Sequence, residues 1–248
     1  MRSNNAMGLV RYRQGKFAQA AAHFRTAVDK LTRRNPNPRD GEVFYNLGLA
    51  LKAMGCPDEA YGMVYKAIGD VAWQTPAFYA LAEIDCLRRD FETAIQHLTR
   101  LVGADGSAYP MVLYALGFIA AQLGDDRAAN DLYARASEMN PAYCFPSRLE
   151  EMRILEHAYS VRPDDPWVAY YLGNLTYDKK RYEEAIALWE RSVAINPDVS
   201  IPWRNLGIAA FNVEDDPDKA IARYEQAFAV NPWGGRVLSE LVQLRELR

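Results

Sequence analysis

The sequence predicts an all-α protein, a solenoid of stacked helix-turn-helix repeats, and three observations carry that prediction. A small residue preceded by Leu or Met, with a second small residue twelve positions on (thirteen in the last copy), occurs six times. The copies are Met7-Gly8 with Ala20, Leu47-Gly48 with Ala60, Leu81-Ala82 with Ala94, Leu116-Gly117 with Ala129, Leu172-Gly173 with Ala185, and Leu206-Gly207 with Ala220. A large apolar or aromatic residue follows each second small residue by four: Phe24, Val64, Leu98, Tyr133, Trp189 and Tyr224. Uninterrupted copies recur about every 34 residues, the period of a helical hairpin that buries its apolar face only by stacking on further copies.

Taken in order, repeats are expected near 3–34, 41–73, 75–106 and 110–141, then an irregular helix at 142–163, repeats at 166–198 and 200–233, and a C-terminal helix at 234–248. Gly15, Gly55 and Gly124 fall where the first helix of a pair should stop. The first two copies are joined by a longer Pro- and Asn-rich connection, Thr32 to Asp40. Thr75-Pro76, Asp165-Pro166 and Asp216-Pro217 each read as a capping oxygen before a Pro in the first helical turn. Asn140-Pro141, Asn196-Pro197 and Asn231-Pro232 close repeats, because the residue before Pro is pushed out of the helical region. Glycines at 48, 117, 173 and 207 lie inside helices at a cost of about 1 kcal/mol each relative to Ala, which close helix approach explains.

Between Pro141 and Pro166 the rhythm breaks. Leu149, Met152, Leu155, Ala158 and Tyr159 have helical spacing. They read as the second helix of a repeat whose first helix is shortened to Ala142–Phe145 or lost. This segment is expected to divide the array into four repeats and two. In the C-terminal helix, Val237, Leu238, Leu241, Val242 and Leu244 make an unusually broad apolar arc. That arc predicts docking of a second copy, hence a homo-oligomer, or continuation of a parent chain.

Composition narrows the function classes. The chain of 248 residues is 50% hydrophobic and 25% charged, ordinary for a folded protein. A net charge of −3 and a pI near 5.7 argue against a nucleic-acid binder. Lys and Arg are spread among acidic neighbours, as in Asp178–Glu184, which reads as a solvated face. Three scattered cysteines, Cys56, Cys86 and Cys144, suggest no disulfide framework or metal site, and no apolar run is long enough for membrane insertion. Without a signal-peptide pattern at the N-terminus, a cytoplasmic protein is expected. No HExxH, Gly-rich phosphate loop or Gly-x-Ser-x-Gly elbow occurs. Paired acids such as Asp125-Asp126 fall at exposed helix starts, where they complement the dipole. His23 and His97 share one position on second helices and are expected to be solvated. The expectation is a protein that is not an enzyme and uses no cofactor.

Trp167–Asn174, Tyr182–Ile186 and Ala194–Pro197 resemble the tetratricopeptide repeat consensus, and the resemblance extends over about nine-tenths of the chain. It implies a right-handed superhelix acting as a protein-interaction scaffold, with first helices lining a concave groove. The positions that match the family's groove are Tyr45, Tyr79, Tyr114, Phe118, Tyr170, Asn174, Tyr177, Arg204, Asn205 and Ile208. A tyrosine ladder there would suit a peptide or protein partner, although the same rings would serve equally as packing between repeats. The family's carboxylate clamp is incomplete: Tyr170 replaces its first Lys, and Glu240 follows Arg236 where a second basic residue belongs. Residues 109–232 also resemble the repeat block of uncharacterised bacterial proteins that carry a carbohydrate-enzyme-like β-sandwich. That implies a bacterial source and a glycan-associated role as an alternative to partner binding, with self-association as a third.

Overall fold

The computed structural model describes residues 1–141 and 144–246, and among them every regular element is an α-helix. Six antiparallel pairs form: α1 (Arg2–Arg13) with α2 (Phe17–Thr32), α3 (Glu42–Ala53) with α4 (Pro57–Ala67), and α5 (Val71–Leu87) with α6 (Phe91–Thr99). The rest are α7 (Pro110–Gln122) with α8 (Asp126–Glu138), α10 (Pro166–Asp178) with α11 (Tyr182–Ile195), and α12 (Ser200–Asn212) with α13 (Pro217–Val230). Two helices stand outside the pairing, α9 (Leu149–Val161) and α14 (Gly235–Glu246).

The recurring glycine explains how each pair closes. A Cβ placed on Gly8 would lie 2.4 Å from the Phe24 ring, and on Gly48 2.3 Å from Val64 Cγ2. On Gly117, Gly173 and Gly207 it would lie 2.5, 2.6 and 2.5 Å from Tyr133, Trp189 and Tyr224. The large residue of each second helix is therefore seated on the bare backbone of the first. The third pair has Ala82 at that position and Leu98 as its large residue.

All six turns within pairs place one residue in the left-handed region. Gly15, Gly55 and Gly124 have φ of 71°, 76° and 83°, while Arg89, Lys180 and Asp215 take 63°, 61° and 53°. The last three have no glycine to announce them. At helix starts, Asp90, Asp125, Asp165 and Asp216 accept backbone N–H bonds as caps.

The expected start at Thr75-Pro76 is displaced. Helix α5 begins at Val71 behind an Asp70 cap, which leaves Pro76 inside it. Asp70 also accepts from the Gly41 N–H at 3.0 Å, and Trp73 in the added turn packs on Tyr45, ring centroids 5.0 Å apart. Those contacts offset the helical bond that Pro removes.

The chain forms two compact units, one ending at Ala108 and one beginning at Tyr109. This is a correction to the division expected at the irregular segment, which lies wholly inside the second unit. The core of the first unit includes Phe24, Phe44, Leu47, Leu51, Val64, Leu81 and Ile84. Within the second, Met111, Leu113, Tyr114, Tyr133 and Tyr171 are fully buried.

Of the short helix considered at 142–145, Ala142 and Tyr143 lie outside the described residues, and Cys144 and Phe145 are not helical. The Glu151 carboxylate instead accepts from the Ser147 and Arg148 N–H groups at 2.8 and 2.9 Å, starting α9. Helix α9 packs against both α7 and α10, and its His157 Nδ1 lies 2.9 Å from the Tyr133 hydroxyl. Arg162, just past its end, donates to Asn130 of α8 at 3.1 Å. The irregular helix thus binds its neighbours together.

At the far end, α14 turns Val237, Leu241 and Leu244 onto α13, beside Ile221 and Tyr224. Only part of its broad apolar arc, Leu238 and Val242, is left exposed. Arg248, included in the expected C-terminal helix, lies outside the described residues.

Candidate partner-binding surface

The four tyrosines proposed as a ladder, all on first helices, are withdrawn from solvent: Tyr45 is 5% exposed, Tyr79 8%, Tyr114 0% and Tyr170 2%. In the first unit Tyr45 is covered by Trp73. In the second, Tyr114 meets Tyr171 edge-on at 5.9 Å and its hydroxyl lies 3.3 Å from Ser137 Oγ. Tyr170 packs on Tyr171 and Trp167. Burial raises the pKa of both Tyr114 and Tyr170, so these phenols stay neutral. Phe118 is half-buried with its ring edge-on to His157 at 5.5 Å.

The remaining candidates gather on α10 and α12, and these are partly open. Asn174 Oδ1 accepts from Asn205 Nδ2 at 2.8 Å and from Trp189 Nε1 at 3.1 Å, tying the two helices together. Tyr177 stands one turn further along α10, its ring 5.0 Å from Tyr182 and 5.2 Å from Trp189. Burial and then the neighbouring Tyr182 raise its pKa against an opposing hydrogen bond from Asn212. On α12, Ile208 is half-buried over the cluster that includes Val237 and Leu241.

Arg204 is committed elsewhere. Its Nε and Nη2 donate to the two Glu240 oxygens at 2.7 and 2.5 Å, and Arg236 adds a third bond to Glu240 at 3.1 Å. Burial works against the Glu240 carboxylate, but Arg204 and then Arg236 outweigh it and hold its pKa below the ordinary value. Both basic groups nearest the family's clamp position are thus neutralised by the residue that departs from it.

Two buried polar contacts were not anticipated. His97, expected at the surface, is buried, and its Nδ1 lies 2.9 Å from the buried Asp85 carboxylate. Tyr61 and Phe78 flank the imidazole, their rings 6.1 and 5.9 Å away. Burial pushes the Asp85 carboxyl up, with the His97 hydrogen bond and charge pulling it back. The available signal was an acid three residues past Ala82, a position held by Arg11, Leu51, Ala120, Thr176 and Ala210 in the other first helices, facing a second-helix histidine. Lys52 and Glu83 likewise pair at 2.6 Å with little exposure, joining α3 to α5. The Cys144 thiol, fully buried, is pushed up to about 12 by desolvation and is unreactive. Among the described residues, no group of three or more His, Cys, Asp or Glu could hold a metal ion. No helix among them is long and apolar enough to cross a membrane.

Comparison with known proteins agrees with the repeat reading. Residues 5–60 match the model of the tetratricopeptide repeat family. Anaphase-promoting complex subunit 6 of Arabidopsis thaliana is 24% identical over 200 residues, which cover 73% of this chain and 36% of that protein. The chain therefore spans about a third of that relative's length. A tetratricopeptide repeat protein of Parabacteroides merdae aligns over 98% of this chain and 97% of its own with a TM-score of 0.48 and 16% identity. PilF of Pseudomonas aeruginosa aligns over 98% and 96%, with a TM-score of 0.46 and 17% identity. Neither the family match nor these relatives supports the glycan-linked resemblance of residues 109–232. Residues 5–60 thus match the tetratricopeptide repeat family, and the six helical pairs closed on a small-residue seat carry the same arrangement along the described chain.

Proposed function

We propose that the chain is a non-catalytic scaffold that holds a partner protein on the α10–α12 face of its second unit. The observation carrying this reading is the contrast between the tyrosines and the α10–α12 residues. Tyr45, Tyr79, Tyr114 and Tyr170 are buried, whereas Asn174, Tyr177, Asn205 and Ile208 are each partly accessible. That face offers amide donors and acceptors beside an aliphatic and an aromatic side chain, the mixture on which a peptide segment is recognised. The relative named for a multi-subunit complex supports an assembly role.

Photo-crosslinkers at Tyr177 and Ile208, with a control on the outer helix at Glu183, test the reading in a lysate of the source cells. Crosslinks to one protein from the first two positions, lost on Ile208→Arg, are expected. Crosslinks that arise equally from Glu183, or that survive Ile208→Arg, would sink it.

A further inference from the structure

Charge in this chain is strongly divided. Residues 1–39 hold nine of the 29 Lys and Arg and only one of the 32 Asp and Glu, a formal +8 on a chain whose total is −3. The mixed-sign surface expected from Asp178–Glu184 does not hold for the first repeat. Arg2, Arg13, Lys16, Lys30, Arg33, Arg34 and Arg39 are all exposed, and among the described residues none of them forms an ion pair. Arg25 is the exception, 2.9 Å from Glu59.

Helix dipoles account for part of this pattern. Lys30, Arg33 and Arg34 lie at or just beyond the C-terminal end of α2, where cations are favoured. Arg2 opens α1, the end where a cation is disfavoured, and Arg39 lies in the connection beyond α2. Because α1 and α2 form a tight hairpin, Arg2 stands at the same end as Arg33 and Arg34. Along α1 the exposed Met7 and Val10 lie between Arg2 and Arg13, which are about 17 Å apart along the axis at 1.5 Å per residue. At 3.6 residues per turn Arg2 and Arg13 lie within about 20° of each other around α1, with Val10 about 80° and Met7 about 140° from Arg2, so the exposed arc of α1 carries both the charges and the apolar pair.

We propose that this first repeat docks a short acidic segment of a partner polypeptide, one that sets carboxylates against Arg2, Arg33 and Arg34 and an apolar side chain on Met7 and Val10. The occupant is short because residues 40–108 of the same unit carry a formal −5. A long polyanion leaving the patch would meet that field, and so would an anionic membrane plane. Arginine outnumbers lysine here and suits bidentate carboxylate pairing. This surface is separate from the α10–α12 face and does not depend on it.

The test is fluorescence anisotropy with a labelled amphipathic peptide, Glu on one face and Leu on the other, about as long as α1. Saturable binding is expected, weakened roughly tenfold or more by Arg2→Glu/Arg33→Glu/Arg34→Glu and by raising salt from about 0.05 to 0.2 M. Arg127→Glu/Arg135→Glu, a reversal of two exposed arginines in the second unit, should leave binding unchanged. The neutral variant Arg33→Gln/Arg34→Gln, weaker in effect, guards against misfolding of the triple variant and is checked by its melting curve. No binding to the wild-type chain, or equal binding by both the triple and the neutral variants, overturns the proposal. So does tighter, equally patch-dependent binding to a single-stranded oligonucleotide or to phosphatidylserine vesicles.

Discussion

At Gly117 the Tyr133 ring leaves no room for even a methyl group, the nearest ring carbon being 2.5 Å from a would-be Cβ. Gly117→Ala must push the ring and its helix away, and overpacking of this kind costs about 1–3 kcal/mol. Gly62 is the control: it is exposed on α4, and a Cβ there meets nothing within 4 Å. Gly62→Ala should stabilise the chain by about 0.5–1 kcal/mol, because Ala loses less backbone entropy in a helix. Urea unfolding of the two variants should therefore move in opposite directions, and a shared direction would remove the seat argument. Lys180 supplies the converse case. With φ of 61° it carries the Cβ strain of a left-handed residue, so Lys180→Gly should stabilise by about 0.5–1 kcal/mol once glycine's entropy is set against the strain. The left-handed turns at Gly15, Gly55 and Gly124 were legible because the residue type announces the conformation. Those at Arg89, Lys180 and Asp215 were not, since only the length of the interval between helices implies them.

For α14, the element that follows the last pair, packing and charge act together. Leu241 and Leu244 read as candidates for docking a second copy, but both are turned onto α13 and buried. Leu241→Glu should consequently cost about 3 kcal/mol or more of stability through a lost apolar contact and a buried charge. Sedimentation of the wild-type chain and the variant would tell this from dissociation of an oligomer. The ion pair of Glu240 with Arg204 holds the flank of that same buried face. A carboxyl whose folded pKa is depressed contributes stability above its unfolded value, about 4.3 for Glu, and loses it as pH falls through the lower folded value. Glu240→Gln should therefore cost about 2 kcal/mol at pH 7, and the difference from wild type should shrink steadily below about pH 4.3. A gap that stays constant into acid would show that Glu240 acts by packing alone.

Across the whole molecule, the pairs were legible because repeat packing is local: each large residue meets a seat sixteen or seventeen positions earlier in its own hairpin. What depended on longer reach was not. The placement of α9, and the covering of Tyr45 by Trp73 and of Tyr114 by Tyr171, all require knowing which neighbouring helix arrives. The division of the chain is the sharpest instance. Sequence rhythm breaks at 142–163, yet the compact units part between Ala108 and Tyr109. Several bonds tie the regions on either side of the irregular segment. They are Tyr133 to His157, Asn130 to Arg162, and Ser137 to Asp165, the cap of α10. A cut between 108 and 109 spares all of them, whereas a cut at 141 breaks every one and uncovers Phe118. Residues 1–108 and 109–248 made as separate chains should each melt cooperatively, with an unfolding enthalpy near about 0.7 kcal/mol per residue at 60 °C. Residues 1–141 and 144–248 should show a lower enthalpy per residue, because α7 and α8 have lost the helix that covers them in the intact chain. Dye binding to newly exposed apolar surface gives a second readout of the same difference. If the cut at 141 yields the more stable fragments, the break in sequence rhythm is the true boundary and α9 is only loosely held.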